Sequence, residues 1–450
     1  QDRFHRVKWA RLVIARKYPD AEPAFSFCVW QGRTRQGQID MSDRKQTAGL
    51  PGEDKTGWSP SKNPKIWGHL WTEVVRAGHC MMCGACVASC PVNVLYVGVK
   101  EEPVIVGPCA ACQVCYYSCP RLELPVDEIE QEIHGRTRTA EEDILGIHRG
   151  IYSARALDEK LWNLGQDGGT SIALLAHALD VDLINSFVTV GFAQSNSAFV
   201  LGSGIPMKAV PVIGSSMQDI IETAGSKYTH SGTLGGLSDT AASFPAGRIG
   251  LVALPCELQG LWRMHTSLRG NYKFGGSGVV GGRPVLTIGL FCSKVYYHEK
   301  LVDEFIHRKN GVDPSRITRT VVKHARFKAY VGSECVIDVP VKEIEQYMST
   351  PCSYCIDYTA ELADISVGGI GSPDRWNTVI VRTETGEKLL ESAKNAGVID
   401  SGPVSISQPD LAPLLKLASK KKHNNAYYLR RGIRQELLVH RRMSHQKPES

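Results

Sequence analysis

Eight cysteines between residues 80 and 119 form two runs with the same internal spacing. Each run reads Cys-x2-Cys-x2-Cys-x3-Cys and is followed directly by a proline. Two-residue gaps let three thiolates surround one cubane of iron and sulfide, whereas the fourth cysteine ligates the neighbouring cluster. The spacing therefore predicts two adjacent 4Fe-4S clusters, one on Cys80, Cys83, Cys86 and Cys119 and the other on Cys109, Cys112, Cys115 and Cys90.

Two other chemistries use clustered cysteines, and both fit this pattern poorly. Structural zinc sites take four ligands, usually as two pairs, rather than eight cysteines with this spacing. Disulfide frameworks are typical of short secreted chains, whereas this chain has 450 residues and its basic first twenty residues do not predict a secretory signal. Two clusters so close in sequence must also lie close in space, which favours a one-electron relay over substrate binding.

Six further cysteines lie outside these runs, and four of them could form another site. Cys256 and Cys292 each follow a predicted buried strand, and Cys352 and Cys355 form a Cys-x2-Cys pair. Ligands converge at the carboxyl ends of strands in α/β sheets, so the four thiolates could hold a third 4Fe-4S cluster. A buried free cysteine after a strand is also common, and spacing alone leaves both interpretations open. Cys28 and Cys335 have no partner pattern and are interpreted as ordinary thiols.

Several glycine-rich segments could approach a ligand. The segment 276–281 matches Gly-x-Gly-x-x-Gly, but it precedes a predicted strand, so we interpret it as a loop and not as a dinucleotide fingerprint. The segment 165–170 opens a predicted helix, where backbone N–H groups favour anions, although a simple turn is an equal alternative. Gly225 follows a helix and could be its C-cap, beside a solvated lysine. The dense turn 367–373 could let the backbone approach a flat ligand closely.

The elements that must position these residues are short apolar strands alternating with helices. Predicted strands cover 186–191, 249–254, 285–291 and 377–382, and predicted helices cover 171–179, 217–224, 299–308 and a segment that ends at 396. This alternation predicts an α/β core with a mixed, partly parallel sheet and an inserted bacterial-ferredoxin-like α+β module. The predicted divisions are a basic extension (1–70), the ferredoxin module (71–125), a charged helical connector (126–150), the core (151–400) and a basic tail (401–450).

Composition is that of an ordinary globular protein, with 42% hydrophobic and 22% charged residues. The net charge of +6 is weak support for nucleic-acid binding, which we do not predict. No stretch reaches the roughly 20 apolar residues of a membrane span. We therefore expect a cytoplasmic protein, which could be held peripherally at a membrane through a partner. The basic tail could be an amphipathic helix, more simply one packed on its own domain.

Four segments resemble the family of coenzyme F420-reducing hydrogenase beta subunits, which includes the electron-input subunit of F420H2 dehydrogenase. They are Gly165–Leu175, Gly225–Thr229, Leu254–Gly260 and Cys352–Thr383, and the likeness spans roughly residues 140–390. The resemblance implies a core that binds FAD and a nearby 4Fe-4S cluster, and an oxidoreductase that exchanges hydride with coenzyme F420, a deazaflavin. It also implies a multi-subunit redox complex as partner.

Carried over by motif, the resemblance assigns Cys256, Cys292, Cys352 and Cys355 to the third cluster. The implied FAD-contacting residues are Asp167, Gly168, Gly169, Thr170, Ser226, Lys227, Tyr228, Gly368, Gly369, Gly371 and Ser372. Hydride transfer would belong to FAD, so no catalytic side chain is assigned. F420 carries a phosphate and a glutamate tail, and the basic segment Ser315–Tyr330 could form its entrance or be a solvated hairpin.

Two other functions are compatible with these residues. One is a ferredoxin-driven flavin reductase of a tetrapyrrole, like the 7-hydroxymethyl chlorophyll a reductase branch of the same family. The other is an electron-wiring subunit that has no substrate of its own. The basic segment and the complete ferredoxin module favour the F420 oxidoreductase.

Overall fold

The structure is a computed structural model that describes residues 64–192, 200–202, 204–243, 247–270, 284–404 and 411–432. Most of the predicted N-terminal extension, Cys28, the loop 276–281 and the end of the basic tail lie outside these ranges. The strands in chain order are β1 (Leu95–Val97), β2 (Pro103–Ile105), β3 (Gly150–Ala156), β4 (Ser186–Phe192), β5 (Ala209–Gly214), β6 (Ile249–Ala253), β7 (Leu286–Leu290), β8 (Arg319–Lys323), β9 (Arg326–Val331), β10 (Glu334–Pro340), β11 (Ile365–Gly368), β12 (Asn377–Val381) and β13 (Ile399–Pro403).

Helices connect and cover these strands. The α-helices are Trp67–Leu70, Ala85–Ala88, Val114–Tyr117, Val126–His134, Glu159–Leu164, Thr170–Asp180, Met217–Thr223, Gly236–Ser243, Pro255–Gly270, Val341–Ile344, Glu384–Asn395 and Ala412–Gly432. Trp71–Val75 and Glu299–Lys309 are π-helical. Short 3₁₀ turns cover Thr233–Gly235, Pro314–Arg316, Glu345–Tyr347 and Thr350–Tyr354.

The core is a mixed sheet whose strand order, within the described residues, is β13-β3-β12-β11-β7-β6-β4-β5. The central strands β11, β7, β6 and β4 are parallel neighbours, and the pairs toward both edges are antiparallel. Strand β6 is buried along its whole length, as expected of a strand covered on both faces. The α/β class and the mixed sheet predicted from the sequence are confirmed.

The carboxyl edge of the parallel strands carries the residues of chemical interest. Cys256 follows β6, Cys292 follows β7, and the glycine turn at 368–371 follows β11. Because β6, β7 and β11 are adjacent in the sheet, these three segments lie side by side. Such an edge is where α/β sheets usually bind ligands.

The cysteine-rich module contains a small antiparallel pair, β1 and β2, and two four-residue helices. It rests on the 3₁₀ turn Thr233–Gly235 of the core, where Leu234 N donates to Cys83 O at 3.2 Å. The core and the module therefore meet at a cysteine that belongs to the first run.

One local expectation, the extent of the connector helix, differs from the structure. The charged connector is helical only over Val126–His134, because Gly135 adopts a left-handed φ of 70° and ends the helix. The helix after β6 runs sixteen residues, from Pro255 to Gly270. The basic segment Ser315–Tyr330 contains the β8–β9 hairpin, which is one of the two arrangements considered for it, and β10 extends the hairpin into a separate sheet.

The Ala412–Gly432 helix packs on its own domain through Leu414 and Ala418, which are 0% and 1% exposed. This is the simpler of the two arrangements considered for the tail. Among the described residues, no helix combines the length and the apolar character that crossing a membrane requires.

Candidate functional site

The eight cysteines of the module line two cavities, each formed by three cysteines of one run and the fourth cysteine of the other run. The first site is lined by Cys80, Cys83, Cys86 and Cys119. The second site is lined by Cys90, Cys109, Cys112 and Cys115. The structure thus brings together the two exchanged sets of four that the spacing predicts.

The two runs repeat the same unusual backbone geometry. Met82 and Ala111, each two residues after the first cysteine of its run, have left-handed φ values of 53° and 52°. Their N–H groups donate to the thiol sulfurs of Cys80 and Cys109 at 3.4 and 3.3 Å. Backbone N–H groups in such turns form concavities for anions and are characteristic of iron–sulfur sites. The chain is therefore shaped for sulfur ligands that carry negative charge.

A third site is lined by Cys256, Cys292, Cys352 and Cys355 at the carboxyl edge of the sheet. The 3₁₀ turn Thr350–Tyr354 places Cys352, whose sulfur accepts a hydrogen bond from Val295 N at 3.4 Å. This cavity is further lined by Met81, His230 and Lys421.

Burial keeps three thiols of the third site protonated unless a positive charge such as a metal ion binds them. Burial raises the pKa of Cys352 to about 11, that of Cys292 to about 12 and that of Cys256 well above its ordinary value. A coordinated metal ion would hold such thiols as thiolates. No group of three or more His, Cys, Asp or Glu side chains in the described ranges is placed around a single metal ion, whereas each four-cysteine set surrounds a cavity.

The histidine that lines the third cavity, His230, is neutral. Burial lowers the pKa of His230 to about 3, and its Nε2 lies 2.7 Å from the Ser349 hydroxyl. It therefore lines the cavity with a polar side chain without adding charge.

One methionine side chain separates the first site from the third. Met81 is 4% exposed and lines both cavities. The Pro255–Gly270 helix also touches both, because Cys256 lies in its first turn and a Cβ at Gly260 would lie 2.9 Å from the Cys83 sulfur. The two sites are therefore neighbours, with the buried Met81 side chain between them.

Arg121 lies beside Met81, and most of its guanidinium has no acceptor among the described residues. It is 2% exposed, and its Nε and Nη2 atoms have no hydrogen-bond partner among the described residues. Its Nη1 donates toward the Met81 sulfur at 3.8 Å, and its guanidinium lies 5.8 Å from the centre of the Tyr354 ring. Burial lowers the pKa of Arg121, while Cys119 and Cys355 act in the opposite direction. A buried cation with free donors beside cysteines fits sites that hold negatively charged clusters.

The segments proposed to contact FAD converge beside the third site. Asp167 lies against the glycine turn after β11, since a Cβ at Gly369 would come within 2.0 Å of its carboxylate. Gln166 accepts a hydrogen bond from the Tyr228 hydroxyl at 2.6 Å and donates to Val322 O at 3.1 Å. The loop before the Thr170–Asp180 helix therefore joins all three predicted segments to the β8–β9 hairpin. The absence of side chains at Gly168 and Gly169 lets this loop pack closely on Asn377 and Leu161.

Some of the predicted contact residues already use their polar atoms within the fold. Thr170 donates its hydroxyl to Ala154 O at 3.0 Å, and its N–H donates to Asn377 Oδ1 at 3.2 Å. Lys227 donates to Ala224 O and Gly225 O at 2.8 and 2.9 Å, at the end of the Met217–Thr223 helix. These side chains shape the edge, so a ligand there would meet mainly the backbone of the neighbouring glycines.

The remaining predicted residues lie on the same edge. Gly168 and Gly169 are buried, and Gly169 caps the Thr170–Asp180 helix with a φ of 69°. Ser226 O accepts a hydrogen bond from Thr320 at 3.4 Å, and the Ser372 hydroxyl lies 2.8 Å from that of Thr378. Gly371 has a φ of 98°.

The basic hairpin reaches this edge through Lys323. Its ammonium lies 3.2 Å from Asp167 and 2.7 Å from Asp374. Arg326 and Lys328 both pair with Asp338 on β10, so part of the positive charge of the run is neutralised within the hairpin sheet.

Sequence reasoning missed four residues of these sites. Met81 and Arg121 are adjacent or nearly adjacent to predicted cysteine ligands, a position that could have singled them out. Lys421 and Asn425 lie in a lysine-rich run of the tail, which is typical of a solvated surface. Their role depends on how the helix packs, and nothing in the local pattern signals it.

Comparison with known proteins gives the chain its relatives. Two family descriptions match the core, and both are of the beta subunit of coenzyme F420 hydrogenase/dehydrogenase: its N-terminal part over residues 151–238 and its C-terminal part over residues 246–406. A 4Fe-4S binding domain matches residues 73–96, which include the first cysteine run.

Individual relatives agree with these matches. The chain is 32% identical to the coenzyme F420 hydrogenase subunit beta of Methanothermobacter thermautotrophicus, over 62% of this chain and 93% of that protein. It is 28% identical to the F subunit of F(420)H(2) dehydrogenase from Methanosarcina mazei, over 81% of this chain and 93% of that protein. A chain of the F420-reducing [NiFe] hydrogenase complex from Methanosarcina barkeri has a similar structure, with a TM-score of 0.56, 26% identity and coverage of 64% of this chain and 93% of that chain.

Proposed function

The chain belongs to the family of coenzyme F420 hydrogenase/dehydrogenase beta subunits, and from this premise we propose that it exchanges hydride between coenzyme F420 and FAD and passes single electrons through three 4Fe-4S clusters to a partner complex. The family is one of F420-linked oxidoreductases, and relatives of the chain are named as subunits of larger redox complexes. The flavin, the number of clusters and the direction of flow are the parts that we propose.

The observation that carries this proposal is that the three cysteine sites and the glycine-rich turn after β11 follow one another as neighbours. The third site lies on strands β6 and β7, beside the turn after β11, where the proposed flavin segments meet. The first site lies across Met81 from the third, and the second site shares the small module with the first. Electrons could therefore pass from the core to the surface of the module without a gap in the series.

FAD takes up two electrons together as hydride and releases them singly, which is what a deazaflavin on one side and iron–sulfur clusters on the other require. The chain's part is to hold the groups and keep water out. The glycines at 368–371 and the loop at 165–170 would hold the flavin on bare backbone, while Gln166 and Tyr228 fix that loop. Phe291, the residue before Cys292 in the chain, lies against Gly368.

The partner is proposed to meet the second site. Cys109 is exposed, whereas Cys355 of the third site and Cys90 and Cys115 of the module are buried. The second site is therefore where an electron could leave the chain. A location in the cytoplasm, or at a membrane through that partner, stays a prediction.

The direct test is anaerobic purification followed by mixing with reduced F420. We expect about twelve irons per chain, four for each cluster, together with bound flavin whose visible absorbance bleaches on mixing. Iron without flavin would support the electron-wiring alternative. Bound flavin that reduced F420 does not bleach would overturn the proposed activity and favour a reductase of another substrate.

A Cys292→Ala variant tests the third site by itself. We expect its iron content to fall to about eight per chain, with flavin bleaching retained and reduction of the module clusters lost. Cys335→Ala is the matched control, since Cys335 is an exposed thiol on β10. Retention of all three cluster signals in electron paramagnetic resonance (EPR) spectra of Cys292→Ala would refute the ligand assignment.

A further inference from the structure

The Ala412–Gly432 helix closes the third site with two side chains one turn apart. Lys421 Nζ donates to Cys292 O at 2.7 Å and to Asp357 O at 2.8 Å. Asn425 Nδ2 donates to Cys352 O at 3.0 Å and to Cys355 O at 2.6 Å. Three of the four cysteines that line the site thus have their backbone carbonyls fixed by this one helix.

A buried ion pair holds the helix in this position. Lys422 Nζ lies 2.9 Å from Glu361 Oε1, and the two side chains are only 9% and 6% exposed. Arg138, from the segment after the Val126–His134 helix, pairs with the same carboxylate. Breaking such a pair would leave an unpaired buried charge, so the helix is firmly anchored next to Lys421.

The charge of Lys421 is directed at the third site. Lys421 lines the cavity together with the cysteines, and its hydrogen bonds go to neutral carbonyl oxygens. In the described part of the chain, no carboxylate forms an ion pair with its ammonium. The positive charge therefore acts on whatever occupies the cavity.

We propose that the Ala412–Gly432 helix is a clamp on the third cluster and that Lys421 is a positioning residue whose fixed positive charge raises the reduction potential of that cluster. The potential of an iron–sulfur cluster depends on nearby charge, hydrogen bonding and solvent exposure. Reduction adds a negative charge, so an adjacent cation stabilises the reduced form. The family match to the core ends at residue 406, so the clamp lies beyond the matched segment.

This inference rests on the third cluster of the proposed function but not on F420 activity. A cluster with a raised potential would draw single electrons out of the core. It would also oppose their return from the cluster to the flavin.

Lys421→Gln in the full chain tests the charge, because glutamine can still donate a hydrogen bond to a carbonyl but is neutral. We expect the midpoint potential of the third cluster, followed by EPR-monitored redox titration, to become more negative. The expected change is at least tenfold in the ratio of reduced to oxidised cluster, about 59 mV for a one-electron couple. Lys421→Arg should stay near the wild-type potential. Lys420→Gln is the matched control, because Lys420 is the exposed neighbour with the same charge.

Asn425→Ala tests the clamp separately, because it removes two hydrogen bonds and no charge. We expect faster loss of iron from the third site under a chelator, with the potential of the remaining clusters unchanged. If Lys421→Gln itself falls to about eight irons, the clamp is supported, and retention of about twelve irons by Lys421→Arg would assign that loss to the missing charge.

Two outcomes would overturn the inference. One is an unchanged midpoint potential in Lys421→Gln with all three clusters present. The other is an equal shift in Lys420→Gln, which would mean a general surface-charge effect. A wild-type chain with about eight irons would instead contradict the third cluster of the proposed function, so the two failures are distinguishable.

Discussion

Arg121 is almost fully buried, carries a charge and has two nitrogens without acceptors among the described residues. A charge in this position costs several kcal/mol unless an opposite charge is close. It lies between Cys119 of the first site and Tyr354, a residue that falls between Cys352 and Cys355 in the sequence. Thiolate-bound clusters on both sides would supply the negative charge that the described residues do not place beside Arg121.

An Arg121→Met variant should therefore hold its iron less tightly. Residues that support metal ligands typically contribute about 10- to 100-fold to metal affinity, and we expect a loss of that size at the first site. Chelator competition followed by visible absorbance measures it, with Arg121→Lys as the charge-conserving control. Iron release at the wild-type rate in Arg121→Met would show that the cation has no such role.

At the scale of elements, the contact between the module and the core depends on a missing side chain. Gly84 begins the Ala85–Ala88 helix with a φ of 86°, and a Cβ there would lie 2.5 Å from Gly232 O and 2.7 Å from Gly235 N. Both atoms belong to backbone of the core and cannot move aside cheaply. The first cysteine run therefore sits on the core at the closest distance that the backbone allows.

A comparison of Gly84→Ala with Gly78→Ala should separate two effects of an added Cβ, which are strain of the left-handed backbone and crowding against the core. Both positions are left-handed, which costs a non-glycine residue roughly 1–2 kcal/mol, but Gly78 has open space around it. We expect Gly84→Ala to lose about 1–3 kcal/mol more stability through overpacking, together with iron from the first site. Denaturant unfolding and iron analysis measure the two effects. Equal losses in both variants would mean that the contact is not tight.

Much of this architecture could be predicted from the sequence, and the reason is physical. The cysteine spacing reports local chain geometry, which is why the exchanged sets of four follow from the sequence alone. Strands such as Ile249–Ala253 are continuous apolar runs, which can also be recognised in the sequence. Lys421 could not be assigned in this way, because it contacts Cys292, which is 129 residues away in the chain. The β8–β9 hairpin is recognisable in the sequence only as a run of positive charge, since its pairing with Asp338 and Asp167 is tertiary.

At the scale of the whole molecule, the three sites form a series with one exposed end. The second site carries the exposed Cys109, and the third site lies deepest, on the parallel strands of the core. Input and output of electrons would therefore be at opposite ends of the series.

A Cys109→Ala variant should uncouple the two ends. We expect flavin bleaching by reduced F420 to be retained, while reduction of a protein acceptor falls by about tenfold or more. Both rates are measured by anaerobic stopped-flow on one preparation, so bleaching is the internal control. An unchanged rate with the protein acceptor would place the exit elsewhere.

The contacts between the module and the core also bear on whether the module can move. The module is joined to the core by Leu234 N on Cys83 O, by Lys208 Nζ on Gly98 O at 3.0 Å and by His298 N on Glu101 at 3.1 Å. A carrier domain that swings between donor and acceptor would have to break these bonds, two of which involve charged side chains that are nearly fully buried. The module is instead docked on the core, so electron transfer between the proposed first and third clusters would need no hinge motion.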